Sequence, residues 1–143
     1  MLENKMIDIN KQDEHGLNAF WIAAKHGYWD VMRVLSENDI EIYNSDALGN
    51  NALHLCARFD SHYNVFENLV NSNYDLHIVN QNGDTACHIA AQKGNLKHLQ
   101  VLVDKEADIN ARNNHLLSPL YLAILNKHSE CVEFLMEMGA EIF

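Results

Sequence analysis

Three cysteines and nine histidines are the side chains of this 143-residue sequence that could hold a metal ion or act as nucleophile and base. Cys56, Cys87 and Cys131 stand 31 and 44 positions apart, so no two of them form the CxxC pair of a zinc or redox site. Cys87 and His88 are adjacent, and adjacent residues of a helix point in different directions. We therefore expect small buried thiols in a reducing compartment, with no metal ion and no cofactor.

Motifs of the common active sites are missing from the sequence. It contains no GxGxxG, GxxxxGKS/T, HExxH or GxSxG pattern. The aspartate, histidine and serine residues instead recur at regular intervals along the chain, which scatters them rather than gathers them at one place. We predict that the chain is not an enzyme.

Composition limits the classes of partner. The sequence has 20 acidic residues against 10 lysines and arginines, a balance that disfavours binding to nucleic acid phosphates and favours a basic partner. No stretch is long and apolar enough to predict a membrane span, and the opening residues MLENKMIDIN do not resemble a signal peptide. We expect a cytoplasmic, intracellular protein that does not insert directly into a membrane.

An apolar-acidic-apolar triplet recurs five times, with first residues 33, 34, 33 and 33 positions apart. Its copies are Ile7-Asp8-Ile9, Ile40-Glu41-Ile42, Tyr74-Asp75-Leu76, Ala107-Asp108-Ile109 and Ala140-Glu141-Ile142. A period of this length is typical of stacked structural repeats. The chain is therefore expected to consist of similar units in one register.

Residues 81–112 show the repeating unit most clearly. Gly83 marks a turn, Thr85 begins a helix with one apolar side, and Gly94 ends that helix. Apolar residues in 96–103 predict a second helix, and residues 107–110 return as a short extended segment. One helix pair of this size cannot bury its own apolar face, so it needs neighbours of the same shape.

This unit resembles the ankyrin repeat, and the segments His-Ile-Ala-Ala at 88–91 and His-Leu-Cys-Ala at 54–57 are similar to the family's helix-opening motif. The resemblance implies an all-α solenoid of stacked helix-turn-helix units with β-hairpin-like loops, in a single ankyrin-repeat domain over residues 1–143. The predicted repeats are 13–45, 46–79, 80–112 and 113–143, preceded by residues 1–12 as the end of a truncated repeat. We interpret the chain as a segment of a longer protein.

We name the first helix of each predicted unit the inner helix and the second the outer helix. Each inner helix begins after a residue that can cap it, namely Asn18, Asn51, Thr85 or Ser118. Two aromatic positions leave alternatives open. Trp21 suits the core and a binding surface equally, whereas Trp29 is expected in the core. Phe59 stands where the second unit is one residue longer, and it is either available to a partner or folded over the lengthened loop.

Leu116 occupies a turn position that is glycine in the other three units. If that turn keeps its shape, Leu116 must adopt a left-handed backbone conformation, which is unfavourable for a residue with a side chain. Alternatively the turn is rebuilt, with Asn113 or Asn114 in the left-handed conformation and Leu116 packed near Gly83. We favour the rebuilt turn, because asparagine tolerates that conformation better than leucine.

The resemblance also implies where a partner binds: the turns before the inner helices and the exposed ends of those helices, which together we name the concave face. Its predicted residues are Glu14, His15, Leu17, Lys25, His26, Ala47, Leu48, Asn50, Arg58, Phe59, Gln81, Asn82, Asp84, Gln92, Lys93, Asn114, His115, Leu117, Leu125 and Asn126. Several are apolar where a solvated loop would favour polar residues, as at Leu48 and Phe59.

Two functions remain open from the sequence. The chain is either a protein-protein interaction module that binds another protein, or a regulatory segment packed against a catalytic or membrane domain of its own longer chain. Exposed apolar faces on the terminal repeats also predict weak end-to-end self-association. Finally, Asn110 and Asn10, each after an Asp-Ile pair, lie in a context similar to that of ankyrin-repeat asparagines hydroxylated by a dioxygenase.

Overall fold

The computed structural model describes residues 8–142, which contain eight α-helices and no β-strand. The predicted all-α solenoid is confirmed. The helices are α1 Ala19–Lys25, α2 Trp29–Glu37, α3 Ala52–Ala57, α4 Tyr63–Asn71, α5 Ala86–Lys93, α6 Leu96–Asp104, α7 Pro119–Leu125 and α8 Ser129–Glu137. Residues 1–7, most of the predicted truncated repeat, and Phe143 lie outside the described residues.

The helices stack in chain order in two rows. The inner helices α1, α3, α5 and α7 each contact the next, and so do the outer helices α4, α6 and α8. Small residues let the inner helices approach closely, since Ala23, Cys56, Ala90 and Ala123 are all buried at the same helical position. The core between the rows is filled by larger apolar side chains, with Phe66 among those fully buried.

All three cysteines are buried, as predicted, and none of them forms a disulfide. Burial disfavours the charged thiolate and raises the pKa of the Cys56 and Cys87 thiols to about 12. Burial also raises the pKa of Cys131. These thiols are therefore protonated core groups with little nucleophilic character.

Each inner helix is capped by the predicted residue. The side chains of Asn18, Asn51, Thr85 and Ser118 each accept a hydrogen bond from the backbone N–H three residues later. In α3 the cap is reciprocal, because the backbone N–H of Asn51 donates to Nδ1 of His54, 3.2 Å away. Thr85 and His88 form the same reciprocal pair of hydrogen bonds at the start of α5.

The side chain three residues after the capping residue uses a ring nitrogen to form a hydrogen bond to the next repeat in the first three units. Nε1 of Trp21 donates to the carbonyl of Asn50, 2.8 Å away. His54 makes the equivalent 2.9 Å bond to Asp84, as His88 does to Leu117. The buried Trp21 is therefore a core residue that performs the same task as the two histidines. Trp29 is half-buried and packs against the core, as expected.

The longer second unit contains a 3₁₀ turn, Asp60–His62, between its inner and outer helices. Nε2 of His62 lies 2.8 Å from the carbonyl oxygen of Lys25, so a hydrogen bond connects the inserted turn to the first repeat. Phe59 precedes the turn and keeps 45% of its surface exposed, with its ring tilted against that of His62. Its side chain therefore covers the loop only in part and remains accessible.

Leu116 keeps the conformation of the glycines it replaces, so the rebuilt turn favoured from the sequence is wrong. Its φ is +63°, and the side chain is 71% exposed rather than packed near Gly83. The reason lies in Asn113, whose side-chain Oδ1 accepts the backbone N–H groups of His115 and Leu117. These bonds impose the same turn that Asp13, Asp46 and Asn80 form in the other units, with a left-handed fourth residue.

Candidate partner-binding surface

The turn before each inner helix is a five-residue loop, which we name a tip. The four tips are residues 13–17, 46–50, 80–84 and 113–117. Each is closed like a hairpin, because the backbone N–H of its first residue donates to the carbonyl of its fifth, at 2.9 to 3.1 Å. An Asp or Asn side chain at the first position accepts two further N–H groups inside the loop, at 2.8 to 3.0 Å. The tips are therefore ordered loops.

Hydrogen bonds also join each tip to its neighbour. Gln81 donates its backbone N–H to the carbonyl of Leu48 and its side-chain amide to that of Ala47. Asn114 repeats this arrangement one unit later, bonding to Asn82 and Gln81. The second, third and fourth tips therefore form one continuous, internally bonded surface.

The predicted concave-face residues differ in accessibility. Asn50 and Asp84 are buried, and Leu17 and Leu117 are half-buried. Asp84 holds the neighbouring tip, since its Oδ1 accepts the side-chain amide of Asn113 at 2.9 Å. The others are exposed: Glu14, His15, Lys25, His26, Ala47, Leu48, Arg58, Phe59, Gln81, Asn82, Gln92, Lys93, Asn114, His115, Leu125 and Asn126.

Part of this set is brought together in a cleft between the second and third repeats, with a volume of about 180 Å³. We name it the central cleft. It is lined by Leu48, Asn50, Arg58, Asn80, Asn82, Asp84, Ile89, Gln92 and Lys93. The more distant predictions, such as Glu14 in the first tip and Asn126 after the last inner helix, lie elsewhere on the concave face.

Sequence reasoning missed Asn80 and Ile89 as lining residues. Asn80 could have been found from its place at the start of the third tip, beside the predicted Gln81. Ile89 is three residues before Gln92 in α5, which puts both on one side of that helix. Its apolar side chain reads as core from the pattern alone, and Ile89 is indeed almost fully buried.

The carboxyl ends of the inner helices are satisfied by side chains from the next repeat. His62 bonds to the carbonyl of Lys25, Asn95 donates to that of Ala57, and His128 bonds to that of Gln92. Carbonyls that a helix end normally leaves without partners are thus used for stacking. What these ends offer to a ligand is therefore their side chains.

Asn10 and Asn110, the predicted hydroxylation positions, each form a hydrogen bond to the next repeat. Oδ1 of Asn10 accepts the backbone N–H of Glu41 at 2.7 Å, and Oδ1 of Asn110 accepts that of Glu141 at 2.8 Å. The hydroxyl of Tyr43 in the first repeat accepts the equivalent N–H of Asp75 in the second. Each of these side chains links one return segment to the next.

Metal sites and membrane-spanning segments are two further kinds of site that residues 8–142 could contain. That part of the chain contains no group of three or more His, Cys, Asp or Glu side chains placed to hold a metal ion. None of its helices combines the length and apolar character that crossing a membrane requires.

Comparison with known proteins identifies the repeats. A family model described as ankyrin repeats in three copies matches residues 1–78 and 53–143. A probable E3 ubiquitin-protein ligase of Oryza sativa subsp. japonica, XBOS32, is 28% identical over 95% of this chain and 27% of its own length. The palmitoyltransferase AKR1 of Lachancea kluyveri is 29% identical over 99% of this chain and 20% of its own length.

A plant channel shows the same relation, since potassium channel AKT2/3 of Arabidopsis thaliana is 28% identical over 91% of this chain and 16% of its own length. The chain thus spans about a quarter or less of these relatives. The family model, by contrast, matches the whole chain through its two overlapping matched ranges. The chain belongs to the ankyrin-repeat family, whose repeats are protein-protein interaction modules.

Proposed function

We propose that this chain binds a partner protein through the concave face, with the central cleft as the main contact. The observation that carries the proposal is Leu48, which stands 61% exposed at the rim of the cleft beside charged and amide groups. An exposed apolar side chain surrounded by polar groups is typical of the core of a protein interface. Phe59 adds a second accessible apolar group close by.

The bonding between tips supports the same proposal. A partner that meets the second, third and fourth tips finds loops already held by amide and backbone hydrogen bonds. Such a surface loses little conformational entropy on binding, so more of the contact energy is available as affinity. We further propose that the partner is a protein rather than a nucleic acid, given the excess of acidic residues.

A second candidate is a regulatory segment that packs against another domain of its own longer chain. It is favoured by the relatives, in which the matched part is a minor share of proteins named as a ligase, a palmitoyltransferase and a channel. Both functions use the concave face. They differ in whether the bound surface belongs to a separate polypeptide or to the same one.

Site-specific photocrosslinking tests the proposal. A photoreactive amino acid at position 48 should crosslink to a defined protein surface in cells, whereas one at Glu133, exposed on α8, should not. The crosslinked protein, once purified, should bind the chain directly and lose affinity for Leu48→Glu. Equal crosslinking from both positions would contradict the proposed surface. Crosslinks within the full-length chain would favour the regulatory segment.

A further inference from the structure

Basic residues end the inner helices of the first three repeats. Lys25 is the last residue of α1, Arg58 directly follows α3, and Lys93 is the last residue of α5. All three side chains are exposed, and neighbouring helices of this kind pack about 8–10 Å apart. The three cations therefore form a row across the concave face, which we name the basic row.

No side chain of the basic row forms a direct ion pair with a carboxylate in the part of the chain that the structure describes, although Lys25 attracts the Asp13 carboxylate at longer range. The ion pairs there join His15 to Glu14 and Arg33 to Glu37, both away from the row. The guanidinium of Arg58 instead lies 6.0 Å from the ring centroid of Phe59. A helix carboxyl end favours a nearby cation, but that interaction leaves the donor groups of the side chain unused.

Acidic residues are concentrated on the opposite side of the molecule. Those exposed on the outer helices and the turns after them include Asp30, Glu37, Asp39, Asp104, Glu106, Glu130, Glu133 and Glu137. On the concave side, Asp13, Glu14 and Asp46 belong to the first two tips, and Asp13 is near enough to Lys25 for the two charges to attract each other. The exposed Asp60 follows Arg58 by two residues, in the 3₁₀ turn. The net charge of −10 is a property of the whole chain, and it does not describe the local charge of the basic row.

Two cations of the row, Arg58 and Lys93, line the central cleft. The one carboxylate among its lining residues belongs to Asp84, which is buried and bonded to the Asn113 amide. With a volume of about 180 Å³ the cleft is smaller than the usual pocket for a small molecule. It has the size and charge to take one acidic side chain, with Leu48 beside it for an apolar neighbour.

We propose that the partner presents an extended acidic segment to the concave face. One Asp or Glu side chain enters the central cleft between Arg58 and Lys93, an adjacent apolar side chain packs on Leu48, and a further carboxylate pairs with Lys25. Carboxylates bonded to Arg and Lys form strong, charge-assisted hydrogen bonds, so this arrangement supplies specificity for acidic sequences. The inference rests on the proposed function and names the chemistry of its partner, which is opposite to what net charge alone favours.

Selection from random peptides displayed on phage tests the acidic segment. Peptides enriched on the wild-type chain should carry Asp or Glu next to an apolar residue. Replacing each acid of an enriched peptide by its amide should weaken binding about tenfold, as expected for loss of a charged hydrogen bond. Added salt should weaken the acidic peptide more than the amide version.

Two double variants with the same change of charge provide the control. Arg58→Glu with Lys93→Glu should lower affinity for the acidic peptide about tenfold or more, whereas Lys97→Glu with Lys105→Glu on the outer side should leave it unchanged. Circular dichroism checks that each variant is folded, and Arg58→Gln with Lys93→Gln replaces the first pair if it is not. Equal losses in both pairs would show a general charge effect and overturn the proposal.

Other outcomes separate this inference from the proposed function. Enriched peptides without acidic residues that still depend on Leu48 would overturn the acidic segment and leave the interface standing. The acidic segment would also be overturned if a single-stranded oligonucleotide bound the basic row more tightly than the acidic peptide does. A failure to enrich any peptide contradicts the acidic segment, while crosslinking from position 48 decides the interface independently.

Discussion

Nε2 of His54 donates a hydrogen bond to the backbone carbonyl of Asp84, 2.9 Å away in the next repeat. The other ring nitrogen, Nδ1, accepts the backbone N–H of Asn51, which requires it to be unprotonated. His54 is therefore neutral in the folded state, and burial lowers its pKa. His88 has the same pattern of bonds and a pKa lowered by burial.

The free energy of unfolding is expected to decrease as the pH is lowered below about 6.5, the ordinary pKa of histidine. Both folded-state pKa values lie below the unfolded one, so the unfolded chain takes up protons first as the pH drops. Stability that is complete above the unfolded pKa is therefore lost as the pH falls toward the folded values. Urea unfolding over this range should show the decrease in the free energy of unfolding. The decrease should be smaller in the double variant that carries both His54→Gln and His88→Gln. Exposed His26→Gln should behave as the wild type, and an equal pH dependence in all three proteins would contradict this origin.

His98 should be replaceable with a gain in stability. Its ring is fully buried between α4 and α6 against Phe66 and Tyr63. Backbone groups of Cys56 and Phe59 lie near the ring, but neither ring nitrogen makes a well-formed hydrogen bond with a described residue. A buried polar group without a partner is unfavourable, and an apolar side chain of similar size avoids that penalty. We expect His98→Leu to raise the free energy of unfolding by about 1 kcal/mol, measured in urea at neutral pH. A loss of stability would indicate that the ring contacts outweigh the missing hydrogen bonds.

Leu116→Gly should also stabilise the chain. The left-handed conformation is unfavourable for leucine by about 1 kcal/mol, and the largely exposed side chain contributes little packing. The flexibility of glycine in the unfolded chain offsets part of the gain, so a modest rise in melting temperature is expected. Leu48→Gly is the matched control, because Leu48 is similarly exposed without a positive φ, and it should destabilise. If Leu116→Gly lowered the melting temperature, the leucine would have to contribute packing.

End-to-end self-association remains a prediction that the terminal repeats support. Val31 of α2 is 47% exposed, whereas Val65, at the same position in α4, is 2% exposed against its neighbour. Ile124 of α7 leaves a second apolar group accessible at the other end of the stack. Sedimentation at high protein concentration should therefore show association, head to tail, that weakens in Val31→Glu. Val79→Glu, an exposed valine away from both ends, should associate as the wild type does, and a strictly monomeric wild type would contradict the prediction.

Hydroxylation of Asn110 is a prediction that mass spectrometry can check. Incubation with an asparagine-hydroxylating dioxygenase should add one oxygen to the wild-type chain and none at this position in Asn110→Ala. The hydrogen bond from Glu141 to the Asn110 amide must open for the enzyme to reach the side chain, so a peptide spanning Asn110 should react faster than the folded chain. No mass increase in either substrate would remove the prediction.

The sequence by itself determined the features that depend on nearby residues. The cap of α1 joins Asn18 to the backbone of Trp21, three positions away, so residue type and spacing suffice to predict it. The period of the triplets likewise identified the stacked units and the inner and outer helices. The same period placed Cys56, Cys87 and Cys131 on apolar helix positions, where they are buried.

Only the tertiary structure decided the features that depend on contacts about thirty residues away. It assigned Trp21 to the core through its bond to Asn50, buried Asp84 against Asn113, and brought Arg58 and Lys93 to one cleft. For Leu116 such contacts act together with local ones: Asn114 bonds to the third tip, and the Asn113 side chain bonds to backbone groups two and four residues on, so that one turn shape is favoured over the local preference of leucine. Local propensity is worth about 1 kcal/mol at such a position, and several hydrogen bonds together outweigh it.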